Sequence, residues 1–494
     1  MPSLIRFRQH GAATGPHFLT VPIRNAGTID RDRGASRFGR VGIVVSLALL
    51  LAGCTTYEPR PLDMGATLDA WKHRVAALES PETRDAASRP STFDAKDGVD
   101  LGEAERIALV FNGELRVARA ELAIRSVVAE HSGTWDDPVL GADFERVVSN
   151  AGGISPTVLR PTLSVTLPIS GRLGLLRAAA DADARVELTR VAALEWDVRS
   201  RTRRAWFEWA GAAARVALMK TAVESVEAWA SVAARQAEAG VLTGLEARLF
   251  TLEGTLLRMD LAQAVDAERE ADARLRELIG LAPAPEPRFV FDGWKADENR
   301  HGEDWKKRNL EIALRSADYE AAERRLELEV RRQYPDLTIG PGFGTDRGER
   351  RLLFDVSIPI PLWNANAGPI AEAEAVREAA RIRFDVECES VGSKVATAAA
   401  AAVSATRRRR AIEESVIPLA DAQLADVGRM ADLGRMEPVI ALQAVKTRHE
   451  AALRLIDARI AEASAADLLR RWIGPSDAGR ADAPSDQGIG DERR

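Results

Sequence analysis

The same order of sequence signals occurs twice along this chain, with the two copies about 195 residues apart. In each copy a helical pattern leads into a proline-containing breaker, two strand-like segments, a long helical stretch, a glycine and another helical pattern. The stretch that opens at Asn309 lines up with the one that opens at Asn112, and RWIG at 471–474 matches RELIG at 276–280. Repeats of this length indicate a stacked or pseudo-symmetric architecture.

The long stretches predict unusually long helices. From about Arg172 to Ala239 there is no proline, and the matching second stretch runs from about Asn366 to Leu433. At 1.5 Å per residue the first spans about 102 Å, and its two flanking helices, of about 33 and 37 residues, together span about 105 Å. Two shorter helices can therefore stack end to end beside one long helix, as in the wall of a tube. Aromatic residues are only 5% of the chain, which also favours long helices.

The strand-like segments alternate with a period of two. In the first copy Leu163, Val165 and Leu167 alternate with Thr162, Ser164 and Thr166. In the second copy Leu352, Phe354, Val356 and Ile358 alternate with Leu353, Asp355 and Ser357. This pattern predicts strands with one apolar and one polar face. The predicted strands cover residues 138–149, 158–168, 335–344 and 351–360.

The N-terminus carries targeting signals. Arg37 and Arg40 precede an apolar stretch, residues 41–52, which suits a signal-peptide core. It ends in Leu51-Ala52-Gly53-Cys54, which resembles a bacterial lipobox, so Cys54 is predicted to carry the acyl chains of a lipoprotein. Thr55, rather than Asp, follows the cysteine and points to the outer membrane. The alternative is an ordinary signal peptide with a chance cysteine.

Composition and motifs argue against several classes of function. The formal net charge is −6, which gives no support to nucleic-acid binding. The six histidines never form a metal-binding spacing, and no CxxC, phosphate loop or nucleophile motif occurs. We therefore expect no enzyme activity, no metal site and no cofactor. The second cysteine, Cys388, lies in a predicted helix and is expected to be a free thiol.

Three local motifs carry a family resemblance. They are the proline-bounded strand exits VTLPIS and VSIPIPLWNANAGPIAEAEA, the turn AEAGVLTGLEARL at 237–249, and the segment VIPLADAQLADVGRMADLGRMEPVIALQA at 416–444. In their duplicated order they resemble the TolC-like outer-membrane factors, in the lipoprotein branch that includes multidrug and heavy-metal efflux ducts. The resemblance covers about residues 55–474.

The resemblance implies a mainly α fold with a small transmembrane β-barrel. A homotrimer with four strands per chain would form a twelve-stranded barrel on a long helical tube with coiled-coil hairpins. Leu163, Val165, Leu167, Leu352, Phe354, Val356 and Ile358 would face lipid, and the alternate residues would face the lumen. The loops at about 149–158 and 345–350 would be extracellular. The alternative is two soluble hairpins packed against helices.

The implied organisation divides the chain into six segments. These are a lipoprotein signal segment (1–53), a linker after the lipidated cysteine (54–98), the first repeat (99–282), a proline-rich equatorial link (283–300), the second repeat (301–474) and a disordered tail (475–494). Such a duct conducts solutes passively to the exterior. It would work with a periplasmic adaptor and an inner-membrane pump of the resistance-nodulation-division type or similar.

The resemblance also places a gate at the two helix–turn–helix tips. Its candidates are Gly240 and Glu246 in the first copy, and Gly434 and Glu437 in the second. Family members often carry an acidic residue six positions after the tip glycine, which Glu246 matches and Ile440 does not. Glu437 could substitute for it. The alternative for both glutamates is a solvated helix face.

The main rival is a periplasmic adaptor lipoprotein, which is also long and helical. An adaptor has one helical hairpin flanked by compact β-rich domains, whereas this sequence predicts two hairpins and few strands. An enzyme is the second rival, and no motif supports it. The transported solute cannot be read from the sequence.

Overall fold

The computed structural model describes residues 57–74, 98–146, 157–283, 287–294, 305–346, 349–433 and 437–475. The signal segment, Cys54, Gly434 and nearly all of the predicted C-terminal tail lie outside these residues. The described residues fall into two units, and the first ends at His73 and contains helix α1 (Met64–Lys72). All other elements belong to the second unit.

The second unit consists mainly of helices with one sheet. In chain order its elements are α2 (Leu101–Phe111), α3 (Gly113–His131), β1 (Val139–Arg146), β2 (Thr157–Leu167), α4 (Arg172–Glu238), α5 (Gly244–Ile279), α6 (Trp305–Arg308), α7 (Leu310–Arg331), β3 (Leu337–Asp346), β4 (Glu349–Ser357), α8 (Ala367–Ala411), a π-helical turn (Ile412–Val416), α9 (Ile417–Asp432) and α10 (Pro438–Ile473).

Helix α4 is the longest element and organises the others. Its first half packs against α3 and α7, and Arg325 of α7 forms an ion pair with Asp183 of α4. Its second half packs against α5 and α10, where Gly254 meets Val226 and Arg215 pairs with Asp457. The single long helix predicted over 172–239 is confirmed.

Two helix predictions need correction. The helix predicted from Asp100 to Gly133 is divided at Asn112, whose side chain accepts a hydrogen bond from the Leu115 amide and so starts α3. The second long helix is interrupted by the π-helical turn just before Pro418. Proline cannot donate a backbone hydrogen bond and clashes with the preceding turn, and a wider turn relieves both problems.

Helix ends meet at two corresponding places. Asn112 donates from Nδ2 to the Leu278 carbonyl at 2.8 Å, so α3 begins where α5 ends. Asn309 donates in the same way to the Trp472 carbonyl at 2.7 Å, so α7 begins where α10 ends. Each pair of shorter helices therefore meets end to end.

Gly280 and Gly474 lie at the C-terminal ends of α5 and α10 at these junctions. Substituting them tests how tightly the helix ends pack. Their φ angles are +81° and +92°, and a Cβ would collide with the carbonyl oxygens of Phe111 and Arg308, respectively. Gly280→Ala and Gly474→Ala should each lower the free energy of unfolding by more than about 1 kcal/mol, because alanine adds strain and a clash.

Chemical denaturation of the purified protein measures this loss. Gly428→Ala in α9 is the control, since its Cβ would meet nothing within 4 Å and alanine favours a helix. Equal changes in the free energy of unfolding at all three positions would show that Gly280 and Gly474 are not specially constrained by the junctions.

The sheet is antiparallel in the order β1–β2–β3–β4. The observed strands lie within a few residues of the predicted ones. β4 ends at Ser357 rather than at 360, because Pro359 has no N–H to continue the ladder. Ile358, predicted as a strand residue, therefore lies just beyond the strand.

The main apolar core lies where α2, α4 and α5 meet the segment around Phe289. Trp206 is fully buried and Trp209 nearly so, and both rings contact Phe289 at centroid distances of 5.5 and 5.4 Å. Both tryptophans therefore pack in the core between helices.

Candidate functional site

One face of the sheet is apolar and exposed. The strand register places Leu140 opposite Leu163, Val165 opposite Ile339, and Ile339 opposite Val356. Directly opposed residues point to the same face of an antiparallel sheet. The face contains Leu140, Phe144, Leu159, Leu163, Val165, Leu167, Leu337, Ile339, Phe343, Leu352, Phe354 and Val356. Phe354 is 69% exposed and Phe144 is 77% exposed, which is unusual for side chains of this size.

The other face is polar. Arg160 pairs with Glu145 at 2.7 Å, and the hydroxyls of Thr166 and Thr338 lie 3.3 Å apart across β2 and β3. Asp143 and Asp355 lie on the same face by register. Gly340, Gly342 and Gly344 of β3 contribute no side chain to it, and Val139 and Leu353 are apolar exceptions. The sheet therefore has one apolar face and one polar face.

The sheet has two free edges. Within the described residues no strand pairs with the outer edge of β1 or of β4. An unpaired edge presents a row of N–H and C=O groups that can pair with another strand. Both edges of the four-stranded sheet are therefore open to pairing.

The first hairpin tip turns at Gly240, which adopts a φ of +74°. Thr243 then caps α5. Its hydroxyl accepts from the Glu246 amide at 3.3 Å, and its own amide donates to Glu246 Oε2 at 2.7 Å. This is a capping box. Glu246, selected from the sequence as a gate candidate, therefore also holds the start of the helix. The T-x-x-E signature at 243–246 could have predicted that role.

Acidification should weaken this helix start. The hydrogen bond from the Thr243 amide, followed by that from its hydroxyl, holds the pKa of Glu246 below its ordinary value of 4.5. A carboxylate with a lowered pKa stabilises the folded state above its unfolded pKa and loses that effect as the pH falls through the lowered value. The protection factors of the amides at 243–247, which compare the intrinsic exchange rate at each pH with the observed rate, should therefore fall below about pH 4.5 and stay constant between about pH 5 and 8.

Glu246→Gln is the matched variant for this measurement. It removes the charge, so these amides should exchange faster at neutral pH and should lose their response to acid. A fall in protection with acid that persists in Glu246→Gln would show that Glu246 is not the group responsible.

The second tip is built differently. Gly434 lies outside the described residues. Glu437 is the N-cap residue of α10, but its side chain makes no capping hydrogen bond, and Pro438 follows it. Ile440, at the position where Glu246 stands in the first copy, is 46% exposed. The two tips therefore present different chemistry.

Near the tips the two hairpins contact each other. Phe250 of α5 and Ala441 of α10 are both fully buried in one apolar cluster. Lys446 of α10 pairs with Glu253 of α5 at 2.6 Å. Sequence reasoning missed this ion pair, because no pattern along the chain relates residues so far apart.

A buried ionic cluster lies at the middle of α4. Arg203 donates to Glu105 of α2 from Nε at 2.5 Å and to Asp467 of α10 from Nη1 at 3.2 Å. Ser200 donates to Asp467 at 2.6 Å. Burial works against the charge of Arg203, but the two carboxylates outweigh it and raise the pKa of its guanidinium. The cluster borders a cavity of about 420 Å³ and joins three helices.

The described residues contain few other groups that are candidates for metal binding or catalysis. They contain no group of three side chains placed to hold a metal ion. Cys388 is a free, half-buried thiol. None of the described helices is long and apolar enough to cross a membrane.

Comparisons with known proteins identify similar chains. No family model matches this one. The cobalt-zinc-cadmium resistance protein CzcC of Cupriavidus metallidurans is 21% identical over 320 residues, which cover 63% of this chain and 76% of that protein.

Solved structures match over more of the chain. A membrane protein from Pseudomonas aeruginosa has a TM-score of 0.65 at 18% identity and covers 79% of this chain and 98% of its own. CusC has a TM-score of 0.65 at 16% identity, with 79% and 96% covered. The MtrE outer membrane channel of Neisseria gonorrhoeae has a TM-score of 0.62 at 18% identity, with 78% and 94% covered.

Proposed function

We propose that this chain, which has the fold of the TolC-like outer-membrane channels, is the outer-membrane duct of a tripartite efflux system. One observation carries the proposal. An open four-stranded sheet exposes one continuous apolar face and two unpaired edges, and it is joined to long helices. Lipid is a suitable environment for such a face, and neighbouring copies are suitable partners for such edges.

Three copies would close the sheet. Joining β1 of one copy to β4 of the next leaves no free edge in a twelve-stranded barrel, so every backbone group is paired within the bilayer. Strands of 8 to 11 residues rise about 27–37 Å and, when tilted, match an apolar band about 25 Å tall. The apolar face would meet lipid, and the polar face would line the lumen.

The two halves would arise from a duplicated unit. The matching roles of Asn112 and Asn309, and of Gly280 and Gly474, support this proposal. The halves would build the wall of a helical tube in the periplasm. Their tips, at Gly240 with Glu246 and at Gly434 with Glu437, would contact a periplasmic adaptor and close the tube at rest.

Transport through the duct would be passive, with energy supplied by an inner-membrane pump. Its cargo would be drugs, metal ions or other small solutes. The name of the relative CzcC points to divalent metal ions as one class. An adaptor role, the alternative raised by the sequence, fits less well, because the described residues contain two helical hairpins and an exposed apolar sheet.

Purification and electrical recording test the proposal. The protein should form a detergent-stable trimer and conduct ions as single channels in a planar bilayer. A monomer that stays in water and does not conduct would overturn it.

The anchor has a separate test. Cys54 lies outside the described residues, and we propose that it carries acyl chains that tether the protein to the outer membrane. Cells fed a labelled fatty acid should label the native protein, and Cys54→Ala should lose all label. Cys388→Ala is the control and should keep it. Label that persists in Cys54→Ala would refute the lipoprotein assignment without affecting the channel.

A further inference from the structure

Two arginines lie on the apolar face of the sheet, at the end away from the helices. Arg146 is two residues beyond Phe144 on β1, and Arg350 is two residues before Leu352 on β4. Side chains two residues apart on a strand point to the same face. Both arginines are exposed, and among the described strand residues they are the only charged ones on this face. The apolar face therefore ends in positive charge.

The arginines of the two faces differ in their partners. On the polar face Arg160 pairs with Glu145 at 2.7 Å, and Arg351 pairs with Glu349 at 3.1 Å. On the apolar face neither arginine has a carboxylate partner within the described residues. The chain thus neutralises the polar-face arginines itself and leaves the apolar-face arginines without an anion.

The connections at this end of the sheet supply no anion either. Residues 147–156, between β1 and β2, contain no Asp or Glu, and the two residues between β3 and β4 are Arg347 and Gly348. A guanidinium beside hydrocarbon is costly without a counter-charge. We therefore expect the anion to come from outside the chain.

Joining copies in the proposed barrel brings the two arginines onto neighbouring strands. Within one copy β1 and β4 are the outer strands, so Arg146 and Arg350 are three strand spacings apart across the sheet, about 14 Å. When β1 of one copy pairs with β4 of the next, the two strands adjoin at about 5 Å. Both arginines stay on the lipid face at the same end, so each of the three seams would carry two guanidinium groups.

We propose that Arg146 of one copy and Arg350 of the next bind the phosphate monoester of an anionic lipid headgroup in the outward-facing leaflet, with one lipid at each seam. This inference rests on the proposed function and adds to it a lipid-binding site. A guanidinium presents a planar set of N–H donors that matches phosphate oxygens, and such charge-assisted hydrogen bonds are stronger than neutral ones. A phosphate monoester carries a charge of about −1.5 to −2 near pH 7, which balances two arginines. The acyl chains of the lipid would contact Phe144 and Leu352.

Native mass spectrometry of the detergent-solubilised trimer tests the proposal. The full chain is titrated with phosphatidic acid, whose phosphate is a monoester, with phosphatidylglycerol, a singly charged diester, and with zwitterionic phosphatidylcholine, all with the same acyl chains. Phosphatidic acid should fill three sites per trimer and bind about tenfold more tightly than phosphatidylcholine, because each site gains charge-assisted hydrogen bonds. Phosphatidylglycerol should bind with an affinity between the two. Excess inorganic phosphate should displace little of the bound lipid, since it gains no contact with the apolar face.

Substitutions assign the preference to the two arginines. In the double variant Arg146→Gln/Arg350→Gln, phosphatidic acid should bind as weakly as phosphatidylcholine. Each single variant should lose part of the preference, so the comparison does not depend on the double variant. Arg351→Gln is the matched control, because Arg351 adjoins Arg350 in β4 but points to the opposite face. It should keep the tenfold preference.

Trimer formation and single-channel conductance are measured for the native protein and every variant. Equal binding of the three lipids by a conducting native trimer, equal binding of phosphatidic acid and phosphatidylglycerol, or a preference that survives the Arg146 and Arg350 substitutions would overturn the inference and leave the channel intact. A loss in Arg351→Gln as large as in the double variant would do the same. A native protein that forms no conducting trimer would instead refute the proposed function, and the inference with it.

Discussion

Phe354→Arg is expected to prevent the protein from inserting into membranes, whereas Asp355→Arg should insert normally. The two residues are neighbours in β4 but point to opposite faces of the sheet. Arginine on the lipid face of an outer-membrane strand costs about 2–4 kcal/mol near the bilayer midplane, and a trimer would bear that cost three times. Folding into vesicles, followed by the yield of detergent-stable trimer and by protection from protease, measures the difference.

Asp355→Arg serves as the matched control and carries its own expectation. It should fit, because Gly340 lies opposite it and provides no side chain. Adding positive charge to the lumen should shift the ion preference of the channel towards anions, as measured by the reversal potential in a salt gradient. Equal insertion of the two variants would mean that the apolar face does not meet lipid.

Arg203→Met is expected to cause a large loss of stability in the helical part. It would remove the guanidinium that the carboxylates of Glu105 and Asp467 both contact, and the Asp467 side chain is only 3% exposed. Removing one partner of a buried ionic group usually costs about 3–5 kcal/mol. The midpoint of urea unfolding, followed by circular dichroism on the purified protein, should fall accordingly.

Arg269→Met is the control for that measurement. Arg269 pairs with Asp266 on the surface, and both side chains are 76% exposed. A pair of this kind contributes about 0–1 kcal/mol. Replacing Glu105, Arg203 and Asp467 together by apolar residues should recover much of the loss. A loss at Arg203 no larger than at Arg269 would show that the cluster does not brace the three helices.

The order of elements was readable from the sequence because its signals are local. Helix periodicity and the alternation in β2 and β4 can each be recognised within a few residues. The absence of proline from α4 can be read directly along the chain. The strands β1 and β3 alternate poorly, as in LTIGPGFGTD. Their facing residues became clear only from the register, because glycine and proline carry no information about which face is apolar.

The candidate sites also differ in whether a local sequence signal could predict them. Glu246 was a candidate because the family resemblance implies an acidic residue six positions after Gly240, and its capping box could also be predicted from the sequence. The pairs Lys446–Glu253 and Arg203–Asp467 were not, since each joins side chains about 190 or more residues apart whose meeting depends on helix packing. The contacts of Arg172 with both Asp136 and Asp336 likewise exist only because separate helix–strand connections meet at one end of the sheet.

The sequence by itself determined the order of the helices and strands, the length of α4, the approximate strand positions and that the series of signals occurs twice, because backbone preferences and hydrophobic periods are set within a few residues. Only the tertiary structure decided which side chains of different strands share a face, which charges are buried together and which edges remain open. Those properties depend on contacts between distant segments, and a chain of residues does not encode them in any local pattern.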